Sequence, residues 1–385
     1  MVATIGLTGL RPSPESVSRV ATPPYDVIKE GTPLLSQLQA EADSIFHVIL
    51  GEDPKGALDG LVQRGALVKD DEPAYYVYEQ RWGDDNQRTG VFLAAAVTDY
   101  SEHQVIRHEK TFDAKVKGRI ALAQTTEHTI GPVFLLTKGS LGPALDAAKA
   151  DAPLFDFESD YGGGSDLTGV KTRIWRVAEK SEVGGAIQGV IAEHPLYIAD
   201  GHHRYHAALR NEQSHLLAYV TEEAKILAYD RVVNGVNSFE SIKESLALEP
   251  ATAFATPAHH QFCLYTKDGC WTLPAKEIPS DVVGRLDCAI LERELYPGLG
   301  LKHEHIVDPA RFDYYPESAL EEMKAVVDAG KYELAIALHP VSIDELMAVA
   351  DAGLEDSEVV MPEKSTFFSP KILTGLFLYR HSSKS

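Results

Sequence analysis

Tyr197-Ile198-Ala199-Asp200-Gly201-His202-His203-Arg204-Tyr205-His206 joins two different patterns of apolar residues. The run from Pro195 to Ala199 is short and continuous, as in a buried strand, and Tyr205-His206-Ala207-Ala208-Leu209 reads as the opening of a helix. Asp200-Gly201 is then a strand-to-helix joint. The first N–H groups of a helix have no partner within it and lie at the positive end of its dipole, so an anion binds there readily. Arg204 adds a forked cation and His202 or His203 a proton donor, which makes phosphate the natural ligand class. A plainer reading takes Asp200 as an N-cap, Gly201 as a turn residue and the histidines as a solvated helix start. It accounts for Asp200 but not for the His-His-Arg behind it. His202 and His206, four apart on one helical face, would make half a metal site, but no acidic or cysteine partner lies close by in sequence.

A chain of 385 residues exceeds what one ordinary core takes, so two domains or one elaborated α/β domain are expected. The formal net charge of −21 argues against a surface that wraps nucleic acid, which needs clustered Lys and Arg, but leaves room for a local basic pocket. Three cysteines with no C-x-x-C pair, and no secretory leader pattern, fit a reducing cytoplasm. Nothing approaches the roughly 20 apolar residues of a membrane span, so no membrane partner is expected.

Outward from the turn, Ala21-Thr22-Pro23-Pro24-Tyr25-Asp26 is a proline-stiffened loop that holds Tyr25 and Asp26 in a defined place, either for a substrate or simply as turn chemistry. Leu58 to Val68 has helical periodicity. Ala74 to Gln80 and Thr89 to Val97 read as a strand hairpin across an acidic turn. Arg107-His108-Glu109-Lys110-Thr111 follows an apolar run. His108-Glu109 is not a zinc-protease helix, because position 112 is Phe where a second histidine is required. Glu109 is a general base placed by its neighbours, or a helix-end salt bridge, the commoner of the two. Gly118 to Thr125 reads as helix and Ile130 to Leu136 as strand.

Gly164 to Thr172 nearly spells a P-loop, but Val170 intrudes before Lys171 and the following residues alternate like a strand, so Phe155 to Val177 is expected as a hairpin. Further strands are expected at 216–220, 224–233 and 258–273, with a helical segment within 234–249 and an amphipathic helix from Arg285 to Tyr296. Leu301 to Val307 reads as a strand with His303 and His305 on one face. Glu333 to His339 is a strand, and Ser342 with Glu345 a capping box. In the tail, Lys364, Ser365, Thr366 and Lys371 are placed to clamp a phosphate or carboxylate, or to lock a last strand, Thr374 to Tyr379, onto the body.

ATPPYDVI, RHEKT with the later GRIAL, IGPVFLL, YIADGHHRYHAAL and MPEKSTFFSPKILTGL together resemble a bacterial and archaeal family called domain of unknown function one-thousand-and-fifteen. The matching stretches run from Ala21 to Leu376, and Tyr229-Asp230-Arg231 departs from the family's His-Arg pair. The order of H-E-x-T, helix, G-P strand and D-G-H-H-R is more distantly similar to the ParB and sulfiredoxin-like fold, and within it to nucleotide-dependent free-serine kinases. That resemblance implies an α/β chain with mixed sheets. Its parts would be a core at 1–234 bearing an inserted hairpin at about 137–195, and a C-terminal α/β lobe at 235–385 whose tail packs back. It implies Glu109 as general base beside His108, Asp200 reaching a phosphate or Mg²⁺, and Gly201, His202, His203 and Arg204 cradling phosphate. Tyr25, Asp26, Arg107 and Thr111 would line the substrate pocket. The activity implied is transfer of a phosphoryl group from ATP or ADP to a small hydroxylated metabolite, with serine the first candidate. The alternative is a ParB-like nucleotide-binding regulator without turnover, and a weaker third is a metal-dependent hydrolase built on His202 and His206.

Overall fold

The computed structural model describes residues 2–162 and 165–381. The chain is mixed α/β and divides into two compact units, Met1–Ala224 with Pro370–Ser385, and Lys225–Ser369. Gly164 of the near P-loop lies outside the described residues.

The first unit is built on a mixed twelve-stranded sheet. Leu67–Trp82 and Asn86–Ala96 form its long hairpin, closed by the pair Trp82 and Asn86. The helix before it is Pro54–Gln63, so the chain has already turned at Gly65 where helical periodicity runs on to Val68. Lys171–Ala178 pairs with Phe155–Glu158 on one side and Leu67–Trp82 on the other, so the hairpin continues the large sheet. Apolar residues that alternate along these strands, among them Val77, Val91, Leu93, Leu135, Ile198 and Val220, form the core, and Ile187 and Tyr205 pack on it from helices.

Two pairings place the site. Leu196–Asp200 runs parallel to Val105–Ile106, with Tyr197 opposite Ile106, and antiparallel to Val133–Thr137. Parallel neighbours end on the same side of the sheet, so residues 107–109 and 200–202 leave it together. The tail returns through Leu378–Arg380, between Leu7–Pro12 and His128–Thr129. That strand begins four residues later than the apolar run Thr374 to Tyr379 predicts, because Thr374 makes only a single bridge, to Thr22.

The second unit has a six-stranded antiparallel sheet in which Leu334–Leu338 lies between Gln261–Thr266 and Tyr229–Val233. Val232, Met323, Val327 and Ala337 form its core. The strand expected at 224–233 is two, Lys225–Leu227 and Tyr229–Val233, in different sheets. The helix expected at 285–296 runs Asp287–Leu299 with a π-helical stretch, Leu291–Leu295; Pro297 has no N–H for the Arg293 carbonyl, which loosens the winding ahead of it. The strand expected at 301–307 is overturned. His303–His305 is a 3-10 turn, because the Lys302 N–H donates to His305 Nδ1 at 3.2 Å and His303 Nδ1 meets the Glu292 carboxylate at 2.5 Å, local bonds that compete with extension. No helix among the described residues is long and apolar enough to cross a membrane.

Candidate active site

Gly201, not Asp200, caps the His202–Arg210 helix, and no side chain caps its first turn. Its φ of +102° lies where side-chain-bearing residues are strained, and a Cβ there would meet the Arg204 guanidinium at 2.9 Å. Only glycine turns the chain this sharply while leaving Arg204 room. The helix is pinned from beneath by Tyr205, whose hydroxyl donates to the Thr98 carbonyl at 2.9 Å and accepts the Thr98 N–H at 3.0 Å.

Asp200 is held between two cations. Oδ1 lies 3.2 Å from Arg204 Nη2 and Oδ2 3.1 Å from Lys371 Nζ. Burial pushes the Asp200 carboxyl up, but Lys371 and Arg204 outweigh it and hold the group well below the usual carboxylate range. Arg204 also donates to the Pro132 carbonyl. Lys371 is set by its backbone: its N–H donates to Asp166 Oδ2 at 2.9 Å, and its carbonyl accepts from Gln80 Nε2 at 3.0 Å. Buried Arg88 donates to Gln80 and the Pro370 carbonyl, fixing the tail from below. Two cations thus share the Asp200 carboxylate at a helix N-terminus, with the Asp166 and Glu109 carboxylates close by. A magnesium cage takes several oxygen ligands, so Asp200 alone would supply at most one of them, the rest coming with a bound phosphate.

Glu109 faces two histidines. Its Oε2 lies 3.5 Å from His202 Nδ1 and its Oε1 3.8 Å from His108 Nε2. The His108 N–H points to His202 Nε2 at 3.4 Å, which makes Nε2 the acceptor and puts the His202 proton on Nδ1, toward Glu109. The two rings meet edge to face, 4.4 Å between centroids. Burial pushes His108 down to about 3, only partly offset by the Ile198 carbonyl and Asp200. Burial, and then His108, push His202 well below the usual imidazole range. Both rings are therefore neutral at neutral pH. Ligand atoms of His108, Glu109 and His202 lie within 4.8 Å of one another. His206 joins no such group among the described residues and stacks on Tyr100, so the expected His202–His206 half-site is replaced by this one.

Residues 5–289 match the model of a family described as protein of unknown function (DUF1015). The chain belongs to this family. No curated protein matches it. Among solved structures, this DUF1015 chain is similar to a free serine kinase in complex with AMP, at 13% identity and a TM-score of 0.39 over 74% of this chain and 92% of that one. It is similar also to a conserved hypothetical protein from Pyrococcus furiosus, at 13% and 0.37 over 74% and 92%. A third is SbnI with a C-terminal truncation from Staphylococcus aureus, at 12% and 0.37 over 73% and 85%. Values this low say nothing of the site's chemistry.

The other expected site residues of this DUF1015 member fall in several places. His203 Nε2 accepts the Phe112 N–H at 3.1 Å and its ring stacks on Phe112, so it ties the helix to the loop after Glu109. Arg107 lies over the Tyr100 ring at 4.8 Å. Thr111 is half-buried in the same loop. Tyr25 opens a 3-10 turn after Pro24 with the Arg119 guanidinium 4.0 Å above its ring, while Asp26 is exposed. A cleft runs alongside, lined by Tyr25, Ile49, Arg119, Gly131, Arg204 and Thr374. Lys364, Ser365 and Thr366 belong to the other unit, where Lys364 Nζ lies 5.2 Å over the Tyr229 ring and Ser365 Oγ donates to the Pro362 carbonyl. Of the tail, Lys371 reaches the turn. Sequence reasoning gave no role to Arg119, although it lies in the GRIAL stretch, and missed Gln80 and Asp166. Asp166 sits inside the stretch that mimics a P-loop, and only its distant pairing with Lys371 gives it a role.

Proposed function

We propose that this chain is a nucleotide-dependent phosphotransferase acting on a small hydroxylated metabolite, with a hydroxy amino acid such as serine the first acceptor to test. The observation that carries this reading is the turn at Gly201, where Arg204 and Lys371 converge on a helix N-terminus next to a carboxylate, Glu109, that neutral His108 and His202 flank. Phosphoryl transfer needs positioning and charge neutralisation more than covalent participation by the protein. The helix N-terminus, Arg204 and Lys371 would hold the transferred phosphoryl group. Glu109 would accept the acceptor's hydroxyl proton as the new O–P bond forms and the bond to the nucleotide's bridging oxygen breaks, the electron pair leaving with the nucleotide. His202, its Nδ1 proton aimed at Glu109, would orient that carboxylate. The cleft beside Tyr25 and Arg119 offers room for a nucleotide's apolar part, and ATP and ADP are both candidate donors. Magnesium would have to arrive with the phosphates.

The test is incubation of the pure protein with ATP or ADP, Mg²⁺ and a panel of hydroxy amino acids, read by phosphorus NMR, with nucleotide binding measured by calorimetry. A new phosphomonoester signal is expected. Nucleotide binding with no transfer would leave the regulatory reading, and neither binding nor transfer would overturn both.

A further inference from the structure

A second polar cluster lies in the Lys225–Ser369 unit, far in sequence from the turn. We propose that His259, His260 and Asp287, with Glu345 set against His259, form a binding site for a divalent transition metal of the zinc class. Three chain segments converge there: the turn before Gln261–Thr266, the start of Asp287–Ile290 and the first turn of Ile343–Glu355. His260 Nδ1 lies 2.8 Å from Asp287 Oδ1, His259 Nε2 lies 3.8 Å from the same oxygen, and His259 Nε2 lies 3.4 Å from Glu345 Oε1. A tetrahedral ion bound at about 2.0–2.1 Å sets its ligand atoms roughly 3.3 Å apart, and these separations bracket that value. Ligand atoms of His259, His260 and Asp287 all lie within 4.8 Å of one another.

The carboxylates are already oriented. The His260 N–H reaches both Asp287 oxygens, at 3.1 and 3.0 Å, and the carboxylate is buried. Glu345 Oε2 accepts from the Ser342 N–H and hydroxyl, both at 2.9 Å, which leaves Oε1 turned to His259. The capping box therefore does more than end a helix. His339 stacks near His259 at 5.2 Å and its Nδ1 meets the Pro257 carbonyl at 3.1 Å, which fixes the tautomer with the lone pair on Nε2. Two imidazoles with two carboxylates suit zinc or cobalt; magnesium and calcium prefer oxygen throughout. The His259 side chain is 41% exposed, so an ion has access from solvent.

The test uses full-length, metal-stripped protein titrated with Co²⁺, read by the visible absorption of four-coordinate cobalt, followed by displacement with Zn²⁺. Wild type is expected to take up cobalt with the strong visible bands of a tetrahedral site. His259→Gln, at a half-exposed side chain, is expected to weaken binding by at least about tenfold with its thermal unfolding otherwise unchanged. His202→Ala, in the other His-carboxylate cluster, is expected to leave these bands in place. No cobalt uptake by wild type would overturn the proposal, as would bands that survive His259→Gln and disappear with His202→Ala.

Discussion

Glu109 and His108 carry the sharpest expectations for single side chains. Glu109→Gln keeps the size of the side chain and removes its ability to take a proton. Turnover should fall by about 10²–10⁴ while calorimetry finds nucleotide affinity unchanged; an unaffected rate would return Glu109 to a plain salt-bridge role. His108 contributes to the pH response in acid, alongside buried His202. Burial lowers His108 to about 3 in the folded chain, against 6.5 for a free imidazole. Between these values the unfolded chain binds the extra proton, so stability is full above about 6.5 and declines as pH falls through the window, by up to about 1.4 kcal/mol per pH unit. His108→Gln should flatten that decline in urea midpoints measured from about pH 6.5 to 4. An unchanged slope would mean that another group sets it.

The strand, glycine and helix act as one element, and their variants separate shape from charge. Gly201→Ala places a Cβ at positive φ against Arg204 and should cost about 1–2 kcal/mol of stability along with nucleotide binding. Arg204→Ala and Lys371→Met each remove one of the two cations on Asp200 and should each weaken nucleotide binding, by about tenfold for the loss of roughly 1.4 kcal/mol. A loss on Gly201→Ala with none on either cation variant would leave the turn a structural joint only. This element was legible in sequence because a strand pattern and a helix pattern abut at Asp-Gly. Its partnership with Glu109 was not, since it arises from parallel pairing of residues about ninety apart, Tyr197 with Ile106, that no spacing announces. The false strand at 301–307 shows the reverse: alternating residues read as extended until His305 is seen accepting the Lys302 N–H within its own turn and His303 is seen held by Glu292 of the preceding helix. The cluster at His259 was invisible for the same reason as Glu109, its members being scattered from 259 to 345.

Across the whole molecule the charge is −21, yet Arg204 and Lys371 converge on one turn; the global sum argues against a nucleic-acid surface and leaves room for a local basic site of this kind. Buried acid also sets an unusual pH response in the second unit. Asp230 is fully buried, and Oδ1 accepts the Leu338 N–H at 3.0 Å while Oδ2 has no hydrogen-bond partner among the described residues. Burial raises it to about 8. A raised carboxyl binds more protons folded than unfolded, so its contribution is present at acid pH and is lost as pH rises toward 8. Asp230→Asn should therefore raise the unfolding temperature more at alkaline than at mildly acid pH, as calorimetry would read; an equal effect at both would sink the assignment.

The path of the chain imposes an order of assembly on the anion site. Asp200 and Arg204 precede the Lys225–Ser369 unit in the chain and Lys371 follows it. During synthesis the turn therefore forms with a single cation, and the second joins it only once Pro370 and the Leu378–Arg380 strand have left the ribosome. A message cut short anywhere in the second unit yields a turn one cation short, which on the proposed function should bind nucleotide about as weakly as Lys371→Met. Competence of the turn thus reports that translation has run past both units.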